Sequence, residues 1–424
     1  MDCRQWLRNG SALGLLYLAS AYGAATAAAD DELTGSELFD RQWKKVDSLS
    51  QGGDGLGPMF NAHSCAACHH LQGSGGGGDN THNVDLLTLV DFKTQDDKPP
   101  SRRPLERLHP GFKTANSVTL HTFSTQPNYE TYRLSLLGRE KSRIKSIPIY
   151  LGPAGHSIHW DTFLLQKSQR NTPSLFGAGA IDKISDQALS ELASKGGGPN
   201  RLLPGSNNRF GWKAQTKTLG DFVRGACANE LSLQTAESPQ PADPMRASYR
   251  NKQMDMTESQ IGDLVKFVAS LPPPKQLEAS DAQEAAALER GSKLFKQTGC
   301  HSCHVANVEH AVGIYSDLQL HDMGNNLSEP VGRGLSQSTP SGGRAVVGVY
   351  YGPTVEQIAA SWRTPPLWGV RHTAPYMHDG RAATLDQAIK MHSGEAAESA
   401  EMYKKMSEKQ RSDLRAFVRS LGAP

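Results

Sequence analysis

The chain has 424 residues, which at roughly 150 residues per domain sets a prior of two or three domains and excludes a single small module. Lys and Arg number 45 against 43 Asp and Glu, a net charge of +2, so no basic field marks a nucleic-acid binder. With 37% hydrophobic residues, 7% aromatics, 41 Gly and 24 Pro, many loops are predicted around a core in need of extra help, which a buried prosthetic group would supply.

Arg4 and Arg8 precede an apolar stretch from Ala12 to Leu18, and both Ala25-Thr26-Ala27 and Ala27-Ala28-Ala29 fit a small-x-small cleavage rule. Residues 1–29 therefore read as a secretory signal, with a periplasmic or secreted mature chain and no membrane span after cleavage. Mean hydropathy is −0.51, in line with that expectation. Export matters for the sulfur chemistry, because a free thiol pair outside the cytosol oxidises unless another bond consumes it.

Four of the six cysteines fall in two identical patterns, Cys65-Ala-Ala-Cys68-His69 and Cys300-His-Ser-Cys303-His304. This is the C-x-x-C-H signature of covalent c-type haem. Two thiols three residues apart on one turn can each add to a haem vinyl group, and the adjacent His then lies under the iron. The plain alternative, two redox or zinc C-x-x-C pairs, makes both following histidines a coincidence. Cys227 has no such partner and reads as a small buried hydrophobe.

The segment from Met256 to Leu271 recurs from Met406 to Leu421, with nine of sixteen positions identical. Each copy opens on a Thr or Ser cap and places Leu264, Phe267, Val268 and Leu271, or Leu414, Phe417, Val418 and Leu421, at helical spacing. Matching openings lie at Gly35-Ser-Glu-Leu-Phe39 and Gly291-Ser-Lys-Leu-Phe295. The predicted fold is mainly α, with two tandem cytochrome c-like haem domains related by internal duplication. Small β and loop insertions are assigned to the first domain, which covers 30–275, and the second covers 276–424, the boundary being Pro272-Pro-Pro-Lys275. Val84 to Phe92 and Val118 to Phe123 read as β insertions, and Gly73 to Gly78 as a flexible linker beside the first haem.

On Gly57-Pro-Met-Phe-Asn-Ala-His-Ser-Cys-Ala-Ala-Cys-His69, Arg170-Asn-Thr-Pro-Ser-Leu175, Arg209-Phe-Gly-Trp-Lys-Ala214, Arg363-Thr-Pro-Pro-Leu-Trp-Gly369 and Ala374-Pro-Tyr-Met-His-Asp-Gly380, the chain resembles the bacterial di-haem cytochrome c peroxidase superfamily. The likeness is strongest to its di-haem oxidoreductase, thiol oxidoreductase-like branch and extends over nearly all of the mature chain. The stretch 73–159 is the exception. The resemblance implies one haem that relays electrons and another that meets peroxide. It places the axial ligand of the C-terminal haem at His392, where peroxidases usually have Met and relatives that build protein-derived cofactors have Tyr. Met391 is the rival ligand, and an ordinary surface His the plain alternative.

The same resemblance puts Trp212 between the haems as an electron path and Glu230 near the distal acid-base position. His156 and His159 fall roughly where a displaceable distal His would lie. Asn171 and Thr364 lie in segments that hold a calcium in the peroxidases, although no acidic cluster accompanies them here. The implied cofactors are two covalent haem c groups, with calcium as a further ion. The implied partners are hydrogen peroxide or another small oxidant and a small electron-donor protein or cytochrome. The expected function is peroxide reduction at one haem with electrons relayed through the other. Two alternatives are a di-haem electron carrier and a haem-dependent oxidase or oxygenase acting on an organic or protein substrate.

Overall fold

The computed structural model describes residues 33–93, 102–139, 143–146, 149–152, 155–158, 161–195, 207–330 and 355–422. The signal at 1–29 and His159 lie outside the described residues, as does the side chain of His156. The fold is mainly helical, and the chain from Thr34 onward forms one compact unit.

Both recurring segments are amphipathic helices. Helix Glu258–Ser270 starts at a capping box made by Thr257 and Gln260, and helix Glu408–Ser420 at one made by Ser407 and Gln410. Their apolar stripes bury Ile261, Leu264 and Val268 in one, and Leu414, Phe417 and Val418 in the other. Helix Gly35–Asp40 crosses the first of them so closely that a Cβ on Gly35 would lie 2.0 Å from Asp263 O and 2.7 Å from Phe267 Cβ. Helix Ala282–Gln297 crosses the second in the same way, a Cβ on Gly291 falling 2.1 Å from Asp413 O and 2.7 Å from Phe417 Cβ. Only glycine permits such backbone approach. The aromatic contacts repeat as well. Phe39 lies 5.2 Å from Phe267 and 6.2 Å from His69, and Phe295 lies 5.4 Å from Phe417 and 6.4 Å from His304, centroid to centroid.

The insertion between Cys68 and Asn171 is not a set of small β pieces. Strands Ser117–Thr119, Val84–Lys93, Asp161–Arg170 and Arg143–Ser146 form, in that order, a four-stranded antiparallel sheet. Helices Arg103–Leu108 and Tyr129–Leu137 contribute to a separate core in which Leu87, Leu89, Leu105, Phe112, Leu136 and Phe163 are buried. The long strands pair from Val84↔Arg170 to Lys93↔Thr162, so partners far apart in sequence build the sheet. The isolated runs read only as small β insertions because that pairing has no local signature.

Gly73 to Gly78 is a structured loop and not a flexible linker. Gly75 to Gly78 are buried, Gly75 N–H donates to His69 O, and a Cβ on Gly76 would lie 1.7 Å from Leu71 O. The glycines let the loop fold tightly back against the first C-x-x-C-H turn.

Candidate functional site: two cysteine–histidine turns and the cleft beside them

The first motif sits on a short helix, Cys65–Cys68, whose N-cap Ser64 accepts from Ala67 N. His69 caps its end, and His69 Nδ1 lies 3.0 Å from Gly76 O. Burial lowers the pKa of His69 to about 4, which keeps the imidazole neutral at physiological pH. Burial pushes the Cys65 thiol up, and the nearby Cys227 acts in the same direction. Cys227 itself is 2% exposed, as a packed hydrophobe should be.

Glu230 ends up beside this turn. Burial raises the Cys68 thiol to about 12, and the largest charge effect on it comes from Glu230. Helix Leu219–Leu231 carries the carboxylate in, and Asn61 bonds both the side chain and the backbone of Glu230. Asn61 Nδ2 donates to Glu230 Oε2 at 2.6 Å, and Asn61 N donates to Glu230 O at 2.7 Å. Asn61 Oδ1 in turn accepts from Thr122 N at 2.9 Å, which fixes the orientation of the amide. Burial raises the pKa of Glu230 and the Asn61 hydrogen bond offsets part of that rise, as suits a group that both takes and returns a proton. Sequence reasoning missed Asn61. Its signal was the position four residues before Cys65, within the quoted Phe-Asn-Ala-His-Ser stretch.

The second motif follows helix Ala282–Gln297. Gly299, at φ +80°, turns the chain into the Cys300–Ser302 turn, and His304 Nδ1 lies 2.9 Å from Tyr315 O. A mostly apolar cavity of about 300 Å³ opens here, lined among others by Cys300, Cys303, His304, His392, Trp212 and Arg363. His392 caps helix Leu385–Met391 with Nδ1 2.8 Å from Ala388 O. His304 and His392 are therefore anchored alike, each with Nδ1 on a backbone carbonyl, which fixes the tautomer that presents Nε2 as a lone-pair donor. Burial lowers both pKa values, that of His304 to about 4, and the nearby His392 ring further disfavours protonation of His304. Met391 is 37% exposed and does not line the cavity, so it is not placed as a ligand.

Around this second turn, His321 bridges Asp317 Oδ2 at 2.8 Å and Glu395 Oε2 at 2.9 Å, with Cys303 Sγ 3.6 Å away. Burial opposes its charge, yet hydrogen bonds to Asp317, Cys303 and Glu395 outweigh that and push its pKa to about 12. Sequence reasoning missed His321 also, because Asp317 lies four residues away but Glu395 comes from a distant segment.

Trp212 lines the same cavity and bonds to two distant segments. Its indole Nε1–H donates to Asn171 O at 2.9 Å, and its carbonyl accepts from Arg363 N at 2.9 Å. Asn171 and Thr364 use their side chains inside the protein: Asn171 Nδ2 donates to Asn83 Oδ1 at 2.9 Å and Gly78 O at 3.1 Å, and Thr364 Oγ1 to Gln319 O at 3.4 Å.

The donor set fits a haem. Each motif offers a thiol pair on one turn, and Cys65, Cys68, Cys300 and Cys303 are in no disulfide. Arg363 is buried, and its Nη1 has no hydrogen-bond partner among the described residues although the side chain lines the cavity. A buried guanidinium of that kind suits the anionic propionate edge of a porphyrin.

These features define a protein of the covalent-haem redox class. The chain belongs to the di-haem oxidoreductase family: the family model described as "Di-haem oxidoreductase, putative peroxidase" matches residues 187–421. That match holds Trp212, Glu230, the second motif and His392 but stops short of Cys65–His69. The chain is similar to the methylamine utilization protein MauG of Methylorubrum extorquens, 32% identical over 32% of this chain and 34% of that one. It is also similar to the cytochrome-c peroxidase IdrP1 of Pseudomonas sp., 27% identical over 31% of this chain and 39% of the other. The chain thus spans a third to two fifths of the length of these curated relatives. Among solved structures, hydrazine synthase of Kuenenia stuttgartiensis overlays with a TM-score of 0.33 at 18% identity, covering 70% of this chain and 81% of that one. No helix among the described residues is long and apolar enough to cross a membrane.

Proposed function

We propose that the chain is an exported di-haem c-type oxidoreductase that reduces peroxide beside its first motif with electrons relayed through the second. In this reading Cys65, Cys68 and His69 hold one haem, and Cys300, Cys303, His304 and His392 hold the other. Residues 1–29 direct export, and two haem domains divided at 275/276 descend from one duplicated unit. The paired glycine crossings at Gly35 and Gly291 support the duplication.

The observation that carries the assignment of roles is an asymmetry. The second turn faces a histidine, His392, anchored as a ligand would be, whereas the first has the carboxylate of Glu230 beside it, oriented by Asn61. When bound, haem supplies one-electron chemistry and peroxide-bond cleavage. The protein's own part at the first motif is proton handling: Glu230 accepts a proton from the incoming peroxide and returns it to the departing oxygen, and Asn61 keeps the carboxylate aimed. At the second, His304 and His392 would both hold the iron, and an iron so held would relay electrons in preference to binding an oxidant. Trp212, which lines the cavity at the second motif, would offer the path between the two haems. A small cytochrome or other electron-donor protein is the reductant in this reading.

The test is steady-state peroxide consumption with a reduced donor, together with electron paramagnetic resonance of the oxidised and half-reduced protein. A high-spin signal at one iron and turnover that collapses in Glu230→Gln support the reading. Two low-spin signals under all conditions with no turnover overturn it in favour of a carrier.

A further inference from the structure

Outside the cavity, a second group of metal-ligating side chains lies on the loop that leaves the first motif. His70, Asp79 and His82 each present one ligand atom, all within 4.8 Å of one another and all part-exposed. We propose that His70, Asp79 and His82 form a binding site for a divalent transition ion of the zinc or copper class, separate from the haem ligands.

The argument starts from what holds each side chain. His70 Nδ1 is 3.0 Å from Ala67 O, so the ring is oriented by a backbone carbonyl and Nε2 faces Asp79. That Nε2 lies 3.8 Å from Asp79 Oδ2, too long for a hydrogen bond. His82 Nδ1 lies 3.2 Å from Asp79 Oδ1, and the two imidazoles meet edge to face with centroids 5.2 Å apart. Asp79 and His82 sit at the start and end of a single 3₁₀ turn, the Asp79 side chain accepting from Thr81 N at 2.8 Å. His70 is held against them because His70 N and Leu71 N both donate to Gly77 O, at 3.3 and 3.0 Å. Little reorganisation separates this arrangement from two imidazoles and one carboxylate around an ion.

The ligand set decides the ion. Two nitrogens and a carboxylate suit zinc or copper, whereas calcium and magnesium select oxygen donors. Partial exposure leaves room for one or more waters to complete the coordination. Nothing in the peroxide reading uses these three side chains.

The experiment uses tag-free, chelator-stripped holoprotein titrated with ZnCl2 by calorimetry and with CuCl2 by electron paramagnetic resonance. One equivalent should bind, the copper signal should show nitrogen coupling, and excess CaCl2 should leave the zinc isotherm unchanged. His70→Gln and His82→Gln should each weaken zinc by more than about tenfold while the haem absorption spectrum stays the same. Should His70→Gln disturb haem attachment through its neighbour His69, His82→Gln alone decides. Absence of saturable binding overturns the proposal, and so does binding of undiminished affinity in His82→Gln.

Discussion

Trp212 donates its indole N–H to the carbonyl of Asn171 at 2.9 Å, and this contact, with the bond from Asn171 N to His378 O, fastens the cavity wall to the segment that follows the inserted sheet. The indole bond fixes the plane of the ring. A second indole, Trp362, lies in the same cavity wall, but Lys213 Nζ is 3.6 Å and Arg170 Cζ 4.7 Å from its ring centroid. Two cations beside a π-system oppose the loss of an electron from it. Trp212→Phe should cost about 1 kcal/mol of stability for the lost hydrogen bond and retain much of the electron exchange between the halves. Trp212→Ala should slow that exchange sharply, and stopped-flow reduction of the two haem signals separates the cases. Trp362→Phe should leave the rate near that of the unmodified protein.

Glu230→Gln keeps the shape and removes the proton acceptor. Peroxide turnover should fall by about 10²–10⁴-fold with haem content unchanged. Asn61→Ala deletes the hydrogen bond that holds the Glu230 pKa down, so the carboxyl rises further. The acidic limb of the pH–rate profile should then move to higher pH, a displacement that a merely structural Asn61 would not produce.

His392→Ala removes the side chain anchored on Ala388 O across the cavity from His304. The C-terminal haem signal should change from low-spin to high-spin, and added imidazole should restore it. A low-spin signal that persists without imidazole defeats the assignment of His392.

His378 is 6% exposed and stacks on Trp362 at 3.5 Å and 8°, and burial lowers its pKa to about 2. The native pKa lies below the unfolded value of 6.5, so the unfolded chain binds the proton first. The stability this neutral ring contributes is complete above about pH 6.5 and is lost progressively as pH falls towards 2. Urea midpoints measured from pH 7.5 down to about 4.5 should fall less steeply in His378→Phe, which keeps an aromatic ring on Trp362 but cannot take up a proton.

Gly35→Ala and Gly291→Ala should each destabilise the protein by about 1–3 kcal/mol, since a Cβ would overlap the facing carbonyl. Comparable losses at the two positions, read from urea midpoints of the holoprotein, are what a common packing unit requires.

Much of the helical framework can be read from local pattern. The capped closing helices and both C-x-x-C-H turns lie where spacing and capping place them, because those signals act over a few residues. The inserted sheet is a different case. The strand Asp161–Arg170 contains only a short apolar run, Phe163 to Leu165, and it becomes a strand by pairing with Val84–Lys93 far upstream. The site divides along the same line. Cys65, Cys68 and His69 are one turn and legible at once, but the Asn61–Glu230 contact joins residues 169 positions apart and has no sequence trace. Met391 and His392 differ by a single step at a helix end, which leaves Met391 exposed and His392 lining the cavity.

The antiparallel pairing of Val84 with Arg170 means that the added module leaves the parent fold and rejoins it at neighbouring points. Its ends adjoin, yet it is not a detachable appendage: Thr122 N, within it, donates to Asn61 Oδ1 at 2.9 Å, and Phe123 pairs with Phe60. Trading this piece for a short turn would release the amide that aims Glu230, so the added sheet and the first motif have to change together.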